Sequence, residues 1–299
     1  MNKLNLVEVA DKIEQLFIDQ ENYVFTKYVT EFHKDGKFGG DYVTFIMIDP
    51  STTPATFYEV TSPFDLVSGK APQLALVFYN GECILNTDYT EYAAMRTGIM
   101  DAIILRKTRL ETNGLRILMF GSGKTATWSI RGIGAVIPDI KSIDYWSKNG
   151  KKDLFEKEGA MVGISLKFEA GWREKLSEYD VIICHTNTTE PVLKSDDLLL
   201  VKDGVEIHSF IGSTENGEIA DEFYNSDSQL ISDWPKILDD NRIMQRALKN
   251  GVDSKEIIYL KNLFSDGYTK DSNKKRLICQ LGGTPIQNLA VLQLLTSAA

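Results

Sequence analysis

The residues with the clearest chemical purpose lie in Arg116–Ala126, where a short apolar run breaks into glycines. Gly121, Gly123 and Ala126 satisfy the pattern G-x-G-x-x-G/A directly behind a predicted strand. In that setting the first glycine makes a tight turn and the second lets the backbone approach a pyrophosphate. The start of the following helix favours phosphate charge. The segment therefore predicts a dinucleotide site, and its expected residues are Gly121, Ser122, Gly123, Lys124 and Thr125.

Two other interpretations of this segment remain open. Gly123 with the Lys124-Thr125 pair also resembles the end of a P-loop, which would bind ATP. That motif needs a glycine five residues before Gly123, and Leu118 stands there. The segment could also be a glycine turn without a ligand. The spacing favours the dinucleotide over both.

The end of the second predicted strand bears on the choice of cofactor. An acidic residue there would bind the ribose 2′-hydroxyl of NAD. The chain instead has Tyr145–Asn149, in which Ser147 and Lys148 could bind a 2′-phosphate. We therefore expect NADP to be preferred, with NAD as the alternative.

A second group of polar residues follows the continuous apolar run Val181–Cys184, which is typical of a strand buried on both faces. His185, Thr186 and Asn187 come directly after it. Ligands of doubly wound sheets lie beyond the carboxyl ends of the strands, so these residues are expected to line the cofactor. His185 could also act as an acid or base near neutral pH, or only as a hydrogen-bond donor. His208, on an apolar strand, is expected to be a core residue.

The hydrophobic pattern changes along the chain and predicts an α/β fold. The first third is strand-rich and α+β in character, with Asn80-Gly81 as a hairpin turn. From residue 115 strands and helices alternate, which predicts a doubly wound parallel sheet of Rossmann type. Predicted strands are 42–48, 56–60, 74–79, 83–87, 116–120, 142–146, 163–168, 181–184, 204–211 and 230–231. Predicted helices are 5–20, 90–110, 124–136, 153–159, 255–263 and 285–295.

The composition excludes several classes of protein. The formal net charge of −9 argues against a general nucleic-acid or anionic-membrane binder, because such proteins present basic surface. The three cysteines are scattered without metal-ligand spacing, so no metal site is predicted. The first residues form no apolar leader, and no run approaches 18 apolar residues. We therefore expect a cytoplasmic protein with no membrane partner.

Several segments, in order and at the right spacing, resemble the ornithine cyclodeaminase and mu-crystallin family. They are Tyr92–Gly98, Gly121–Ala126, Asp180–Leu193, Ile211–Glu218 and Gly283–Ala290. The resemblance covers roughly residues 70 to 290. It implies a Rossmann dinucleotide-binding domain at 111–284, inserted into an α+β substrate-binding and dimerisation domain at 1–110 plus 285–299. It also implies a homodimer that binds NAD or NADP and acts on the C–N bond of amino acids or cyclic imines.

The same resemblance assigns further site residues. Arg96 matches the family arginine that holds the substrate carboxylate, a task that suits the planar fork of a guanidinium. Gly212, Ser213 and Gly283 fall in segments that contact the cofactor. The position of a substrate-binding lysine falls near Glu59, with Lys70 as a substitute on a neighbouring loop. The catalytic residues implied for this chain are Arg96, Glu59 and Thr214.

Departures from the family pattern concern the substrate half. Thr214 stands where the family has its catalytic aspartate, and a threonine cannot shuttle protons near neutral pH. The predicted function is therefore an NAD(P)-dependent oxidoreductase that transfers hydride at a C=N or C–N bond, as an imine reductase or an amine or amino-acid dehydrogenase does. Alternatives are an ornithine cyclodeaminase-like lyase and a non-catalytic, NADPH-binding protein of mu-crystallin type.

Overall fold

The computed structural model describes residues 4–34, 37–65, 73–148, 152–186, 190–210, 217–269, 271 and 273–297. Helices α1–α8 are Leu6–Ile18, Thr90–Thr108, Lys124–Val136, Lys152–Met161, Ile237–Asp240, Arg242–Lys249, Leu260–Asp266 and Pro285–Ser297. Strands β1–β13 are Val24–Lys34, Lys37–Asp49, Thr56–Asp65, Leu74–Tyr79, Glu82–Asp88, Ile117–Phe120, Ser142–Trp146, Ser165–Phe168, Val181–Cys184, Val205–Ser209, Ser228–Ser232, Ile258–Tyr259 and Arg276–Gln280.

The chain divides into two compact units, one of which combines Met1–Arg96 with Thr284–Ala299 and the other of which is Thr97–Gly283. The division falls inside α2, whereas the sequence-based boundary at residue 110 lies just after the end of that helix. Substrate binding and dimerisation stay predictions for the first unit.

The first unit is built on an antiparallel sheet in the order β1-β2-β3-β4-β5. One face of this sheet is buried, and Phe45, Met47, Tyr58 and Val60 lie on it. Helix α8 packs on β1–β3, and its residues from Pro285 to Leu292 are all buried. A helix that is apolar on every side must be enclosed, as the sequence predicts for this segment.

The second unit contains an eight-stranded parallel sheet in the order β12-β11-β13-β10-β9-β6-β7-β8. Its inner strands β6, β9, β10 and β13 are buried at every position. Such strands need cover on both faces, which helices of alternating βα units provide. The predicted α/β fold with a doubly wound parallel sheet is confirmed.

Some of the predicted turns, helices and strands are confirmed, and others are not. The hairpin turn at Asn80-Gly81 is confirmed, with φ values of 52° and 80°. The predicted helix at 255–263 is wrong in its first half, because Ile258 and Tyr259 pair with β11 and the helix begins only at Leu260. A β-branched and an aromatic side chain favour a strand at this point. The run around Cys279 is strand-like in sequence and forms β13, whereas strand β1 and helices α5 and α6 were not predicted.

No helix within the described residues is both long enough and apolar enough to span a lipid bilayer.

Candidate functional site

The tight turn predicted at Gly121 lies directly behind β6. Gly121 has a φ of +106°, and a Cβ atom at this position would lie 2.1 Å from the carbonyl oxygen of His185. Both facts require glycine, because other residues rarely adopt this φ and the neighbouring atom is backbone. The Gly121 N–H donates to the carbonyl of Trp146 at 2.8 Å. The turn therefore fits closely against the ends of β7 and β9.

The start of helix α3 leaves room for a ligand. Gly123 is the N-cap residue of α3, and a Cβ atom on it would meet no atom within 4 Å. Its missing side chain thus leaves open space in front of the first helical turn, where unpaired backbone N–H groups face outward. Ala126, the third small residue of the motif, is fully buried. These features fit the pyrophosphate of a dinucleotide.

Helix α2 fixes the position of α3. A Cβ atom on Gly98 would lie 2.5 Å from the carbonyl oxygen of Thr125 and 2.6 Å from the amide nitrogen of Ser129. The two helix backbones therefore touch, and only glycine permits this approach. The contact holds the first turn of α3, including Lys124 and Thr125, in place behind the glycine turn.

The residues predicted to choose between NAD and NADP lie at the end of β7. The Ser122 hydroxyl donates to Ser147 Oγ at 3.0 Å and so links the glycine turn to this strand end. The adjacent Lys148 is exposed. The structure thus brings Ser122 and Ser147 together, and the exposed Lys148 is the next residue along the chain.

The end of β9 is held by a buried carboxylate. Glu218 Oε1 accepts hydrogen bonds from the Thr186 N–H at 2.6 Å and from its hydroxyl at 2.8 Å. Glu218 Oε2 lies 3.2 Å from Ser209 Oγ at the end of β10. Burial raises the pKa of Glu218, against the hydrogen bonds and the field of His185.

Strands β6 and β9 are neighbours in the sheet although β7 and β8 lie between them in sequence. The strand order therefore reverses where Gly121 and His185 meet.

Beneath this edge lies a buried group that we call the Asp101 network: Asp101, His185, His208 and Glu206. Asp101 Oδ2 lies 2.6 Å from His185 Nε2 and accepts the Ser129 hydroxyl at 2.5 Å. Asp101 Oδ1 lies 2.7 Å from His208 Nδ1. His208 Nε2 lies 2.9 Å from Glu206 Oε1. Hydrogen bonds thus run from His185, at the carboxyl end of β9, to Glu206, near the amino end of β10.

The charges of the network follow from its geometry. Both His208 nitrogens face carboxylate oxygens, so both carry protons and the ring is a cation. Burial alone would lower the pKa of His208, but contacts with Cys279, Asp101 and Glu206 raise it well above 6.5. Burial likewise opposes ionisation of Asp101, but His185 and His208 hold its pKa below the ordinary value.

Glu206 connects the network to a second ion pair. Its Oε2 accepts the Nε–H of Arg109 at 2.8 Å, and its Oε1 accepts the Thr108 hydroxyl at 2.8 Å. Burial opposes ionisation of Glu206, but His208 and Arg109 hold its pKa below the ordinary value. Two carboxylates are therefore matched by an imidazolium and a guanidinium, which satisfies the requirement that buried charges be paired.

Sequence reasoning singled out His185 but missed Asp101, which lies 2.6 Å from it, and the other two buried carboxylates, Glu206 and Glu218. A signal for Asp101 was present, because it interrupts the apolar helix segment 99–105. Glu206 and His208 stand two residues apart in a fully buried strand and so share one face. The expectation that His208 is a core residue is met by full burial.

A metal could in principle use part of this network. Glu206, His208 and Cys279 place potential ligand atoms within 4.8 Å of one another. Both His208 nitrogens already face carboxylates, and burial raises the pKa of the Cys279 thiol to about 11. Because zinc-type ligands must be deprotonated, these groups suit a hydrogen-bonded network better than a metal centre.

Arg96 lies in the first unit, where Gln287 of α8 holds it. Its Nη1 donates to Gln287 Oε1 at 2.9 Å, and its guanidinium carbon lies 6.0 Å from the centre of the Phe45 ring. Gln287 is 1% exposed, whereas Arg96 is only partly buried. The arginine is therefore anchored on one side, on the buried face of the sheet.

The structure does not bring Glu59 to Arg96, which corrects the placement expected for it. Phe45 pairs with Val60, whereas Glu59 pairs with Ile46 and thus points to the other face of the sheet. Glu59 accepts a hydrogen bond from the Thr61 hydroxyl at 3.2 Å. A shift of one residue in a strand reverses its side chains, and the weak match at this position concealed that shift.

Gly283 follows β13 and has a φ of +74°. The remaining predicted site residues lie outside the described residues: Lys70, Asn187, Gly212, Ser213 and Thr214.

The fold of this chain is similar to that of several proteins of known structure. No protein-family model matches the chain, and no curated protein matches its sequence. Among solved structures it is similar to Δ1-pyrroline-2-carboxylate reductase from Thermococcus litoralis in complex with NADH and L-proline. The two share 17% identity and a TM-score of 0.83, over 99% of this chain and 94% of the other.

Two further structures are similar over nearly the whole chain. A probable ornithine cyclodeaminase from Bordetella pertussis is 14% identical with a TM-score of 0.79, over 97% of this chain and 91% of the other. An archaeal alanine dehydrogenase dimer with bound NAD is 16% identical with a TM-score of 0.76, over 98% and 92%. The chain has the fold of the ornithine cyclodeaminase and mu-crystallin family, which confirms the resemblance at the level of the fold.

Proposed function

We propose that this protein is a nicotinamide-dependent oxidoreductase that transfers hydride at a C=N or C–N bond. The observation that carries the proposal is the glycine turn at the reversal point of the parallel sheet. There Gly121 touches the end of β9, and the space in front of Gly123 is open. In open α/β sheets this is where dinucleotides bind.

Proteins with the same fold support the proposed nicotinamide cofactor and the proposed reaction at a carbon–nitrogen bond. The similar structure from Thermococcus litoralis is a Δ1-pyrroline-2-carboxylate reductase in complex with NADH and L-proline, and the archaeal one is an alanine dehydrogenase dimer with bound NAD. Both names describe chemistry at a carbon–nitrogen bond. Because sequence identity to these structures is below 20%, their substrates do not carry over, and the substrate of this chain must be inferred from its own residues.

The cofactor proposal assigns roles to named groups. The backbone N–H groups at the start of α3 would hold the pyrophosphate, and Ser147 with Lys148 would hold a ribose 2′-phosphate. NADP is therefore the proposed preference. When bound, the nicotinamide supplies or accepts the hydride. His185, whose side chain is 2% exposed and bonded to Asp101, serves to position the strand end.

The substrate proposal rests on Arg96. Its guanidinium would bind a substrate carboxylate through two parallel hydrogen bonds, and Gln287 would hold it in place. Thr214 stands where the resembling family has its aspartate. We propose that the Thr214 hydroxyl positions a water molecule, whereas the aspartate carboxylate would move the proton itself.

The function is tested by following oxidation of NADPH and NADH with a cyclic imine that carries a carboxylate and with the same ring lacking it. We expect turnover of the carboxylate-bearing imine. Arg96→Met should raise its KM by about 10- to 100-fold, as loss of a charge-assisted hydrogen-bond pair implies. It should leave the KM of the other imine unchanged. Arg131→Met, which removes a surface arginine paired with Glu158, is the matched control.

Other outcomes of this assay favour other functions. Conversion of ornithine to proline without added reductant would identify a cyclodeaminase-like lyase. Tight NADPH binding with no turnover of imines, amines or amino acids would identify a non-catalytic binding protein. A KM change of equal size for both imines in Arg96→Met would contradict the proposed contact with the carboxylate.

We further propose that the protein is a homodimer through the outer face of the antiparallel sheet. This face carries Val24 and Tyr28, which are 56% and 58% exposed, and Leu74, which is 43% exposed. Leu76 and the partly buried Phe57 lie on the same face. The face also carries Glu59, which pairs with Leu76. Exposed apolar side chains clustered on one sheet face are typical of a protein interface, and the archaeal structure of the same fold is a dimer.

Light scattering with size-exclusion chromatography tests this interface. We expect a dimer for the unmodified protein and a monomer for Leu76→Lys. Leu199→Lys alters an apolar residue that is 88% exposed in the other unit and should leave the dimer intact. A monomeric unmodified protein would contradict the proposed dimer, and a Leu76→Lys dimer would contradict this interface.

A further inference from the structure

A second cavity lies at the opposite edge of the parallel sheet from the glycine turn. It is lined by Gly204 and Glu206 of the β10 end, Gln229 of β11, and Arg276 of β13. These residues stand at the amino ends of their strands, whereas Gly121 and His185 follow carboxyl ends. The cavity has a volume of about 170 Å³. It is therefore separate from the proposed cofactor site.

The cavity is cationic although the chain as a whole is acidic. Its lining includes four cationic side chains, Lys107, Arg109, Lys274 and Arg276, and two carboxylates, Glu206 and Asp271. The chain has a formal net charge of −9. A concave surface with excess positive charge concentrates field lines and attracts anions.

Arg276 is the residue that points to a ligand. It is 7% exposed, yet within the described residues its guanidinium makes one side-chain hydrogen bond, from Nη1 to Ser228 Oγ at 3.5 Å. No described carboxylate forms an ion pair with it. Asp227, a nearby carboxylate, is ion-paired with Lys275 at 2.8 Å. A buried charge without a partner is costly, so this guanidinium needs an anion.

The carboxylates of the lining do not supply that anion. Asp271 Oδ1 accepts the Asn273 N–H at 2.9 Å, and among the described residues Asp271 forms no ion pair with Arg276. Arg109 is paired with Glu206 at 2.8 Å, and the Glu206 carboxylate also faces His208 and Thr108. Lys274 is paired with Glu256 at 2.6 Å. Burial lowers the pKa of Arg276, against the fields of Asp227 and Asp203, which agrees with an incompletely compensated charge.

Neutral groups in the lining can complete the ligand shell. The Tyr268 hydroxyl donates to Gln229 Oε1 at 2.9 Å, and the Asp271 N–H lies 3.4 Å from the same oxygen. Since Oε1 is occupied in this way, the NH₂ group of Gln229 is the donor that this side chain offers. A guanidinium beside an amide donor suits an oxyanion.

We propose that this cavity, formed around Arg276, is a binding site for a small oxyanion that presents a phosphate or carboxylate group. The volume admits a group of that size, since water occupies about 30 Å³ in the liquid. Arg276 provides the charge, and Gln229 provides a neutral donor.

Isothermal titration of the full chain with inorganic phosphate tests the site. We expect one saturable site that Arg276→Met weakens by at least about tenfold, as loss of a charge-assisted hydrogen bond implies. Lys275→Met, the matched control, removes a surface charge next in sequence and should change the affinity less than about twofold. A parallel titration with succinate distinguishes the source, because tighter binding of succinate identifies a carboxylate ligand and tighter binding of phosphate a phosphate.

The glycine turn could also bind phosphate, so Lys124→Met is included. Binding lost in Lys124→Met but kept in Arg276→Met would place the anion at the turn and overturn the proposal. Absence of saturable binding of both anions, or equal binding by Arg276→Met and the unmodified chain, would overturn it as well. If Arg276→Met fails to fold, Lys107→Met replaces it. We expect at least about threefold weaker binding for Lys107→Met, and unchanged affinity would refute the site.

Discussion

Neutralising Asp101 is the most informative perturbation of the second unit. This carboxylate is fully buried and lies between His185 at 2.6 Å and the imidazolium of His208 at 2.7 Å. Asp101→Asn keeps the shape of the side chain but removes the charge. The His208 cation then keeps only one carboxylate partner, Glu206. The new amide NH₂ group also faces a hydrogen-bond donor, because His185, His208 and Ser129 all donate to Asp101.

The expected cost follows from the burial of the pair. Breaking a buried ion pair by removing one partner destabilises a protein by about 3–5 kcal/mol. For a unit of about this size, each kcal/mol lowers the melting temperature by about 2–4 °C, so Asp101→Asn should lower it by about 6–20 °C. Thermal denaturation followed by far-UV circular dichroism at neutral pH measures this change.

Two further variants make the test specific. Asp139→Asn neutralises an exposed aspartate and should stay within about 0.5 kcal/mol of the unmodified protein. In a double-mutant cycle, Asp101→Asn combined with His208→Gln should cost less than the sum of the single changes, since the two groups interact directly. A melting temperature for Asp101→Asn within about 1 °C of the unmodified protein would refute the charged, buried network.

Three further predictions concern other parts of the molecule. Gly121→Ala should abolish NADPH binding and cost at least about 1–2 kcal/mol in thermal unfolding, because alanine is strained at φ +106° and its Cβ would strike the His185 carbonyl. The stability that His208 contributes should be complete below about pH 6.5 and should decline as the pH rises through its raised pKa. Between about pH 6 and 9 the free energy of unfolding should therefore fall less in His208→Gln than in the unmodified protein. Gln287→Leu should raise the KM for a carboxylate-bearing imine, and an unchanged KM in steady-state kinetics would contradict its role in holding Arg96.

Features fixed by local chemistry could be predicted from the sequence. The glycine spacing behind an apolar run located the turn at Gly121, because only glycine has the required freedom at that φ. The run Val181–Cys184 identified a strand buried on both faces. The adjacent pair Asn80-Gly81 marked a hairpin for the same local reason.

Features that depend on distant partners could not be predicted. Asp101 meets His185 across 84 residues and His208 across 107, and no local pattern encodes those contacts. The face of the sheet on which Glu59 lies depends on strand register, and an error of one residue moves a side chain to the opposite face. Lys274, Lys275 and Arg276 form a short basic run, a pattern typical of a solvated surface, yet Arg276 is buried at the start of β13 whereas Lys275 is exposed.

The central claim, a nicotinamide site at the Gly121 turn, is tested most directly by fluorescence titration with NADPH, NADH and ATP in parallel. We predict saturable binding of NADPH that is tighter than that of NADH, no binding of ATP, and a loss of the NADPH preference in Lys148→Asp. Saturable binding of ATP, or absence of binding of both nicotinamide nucleotides, would contradict the proposed cofactor and with it the oxidoreductase function.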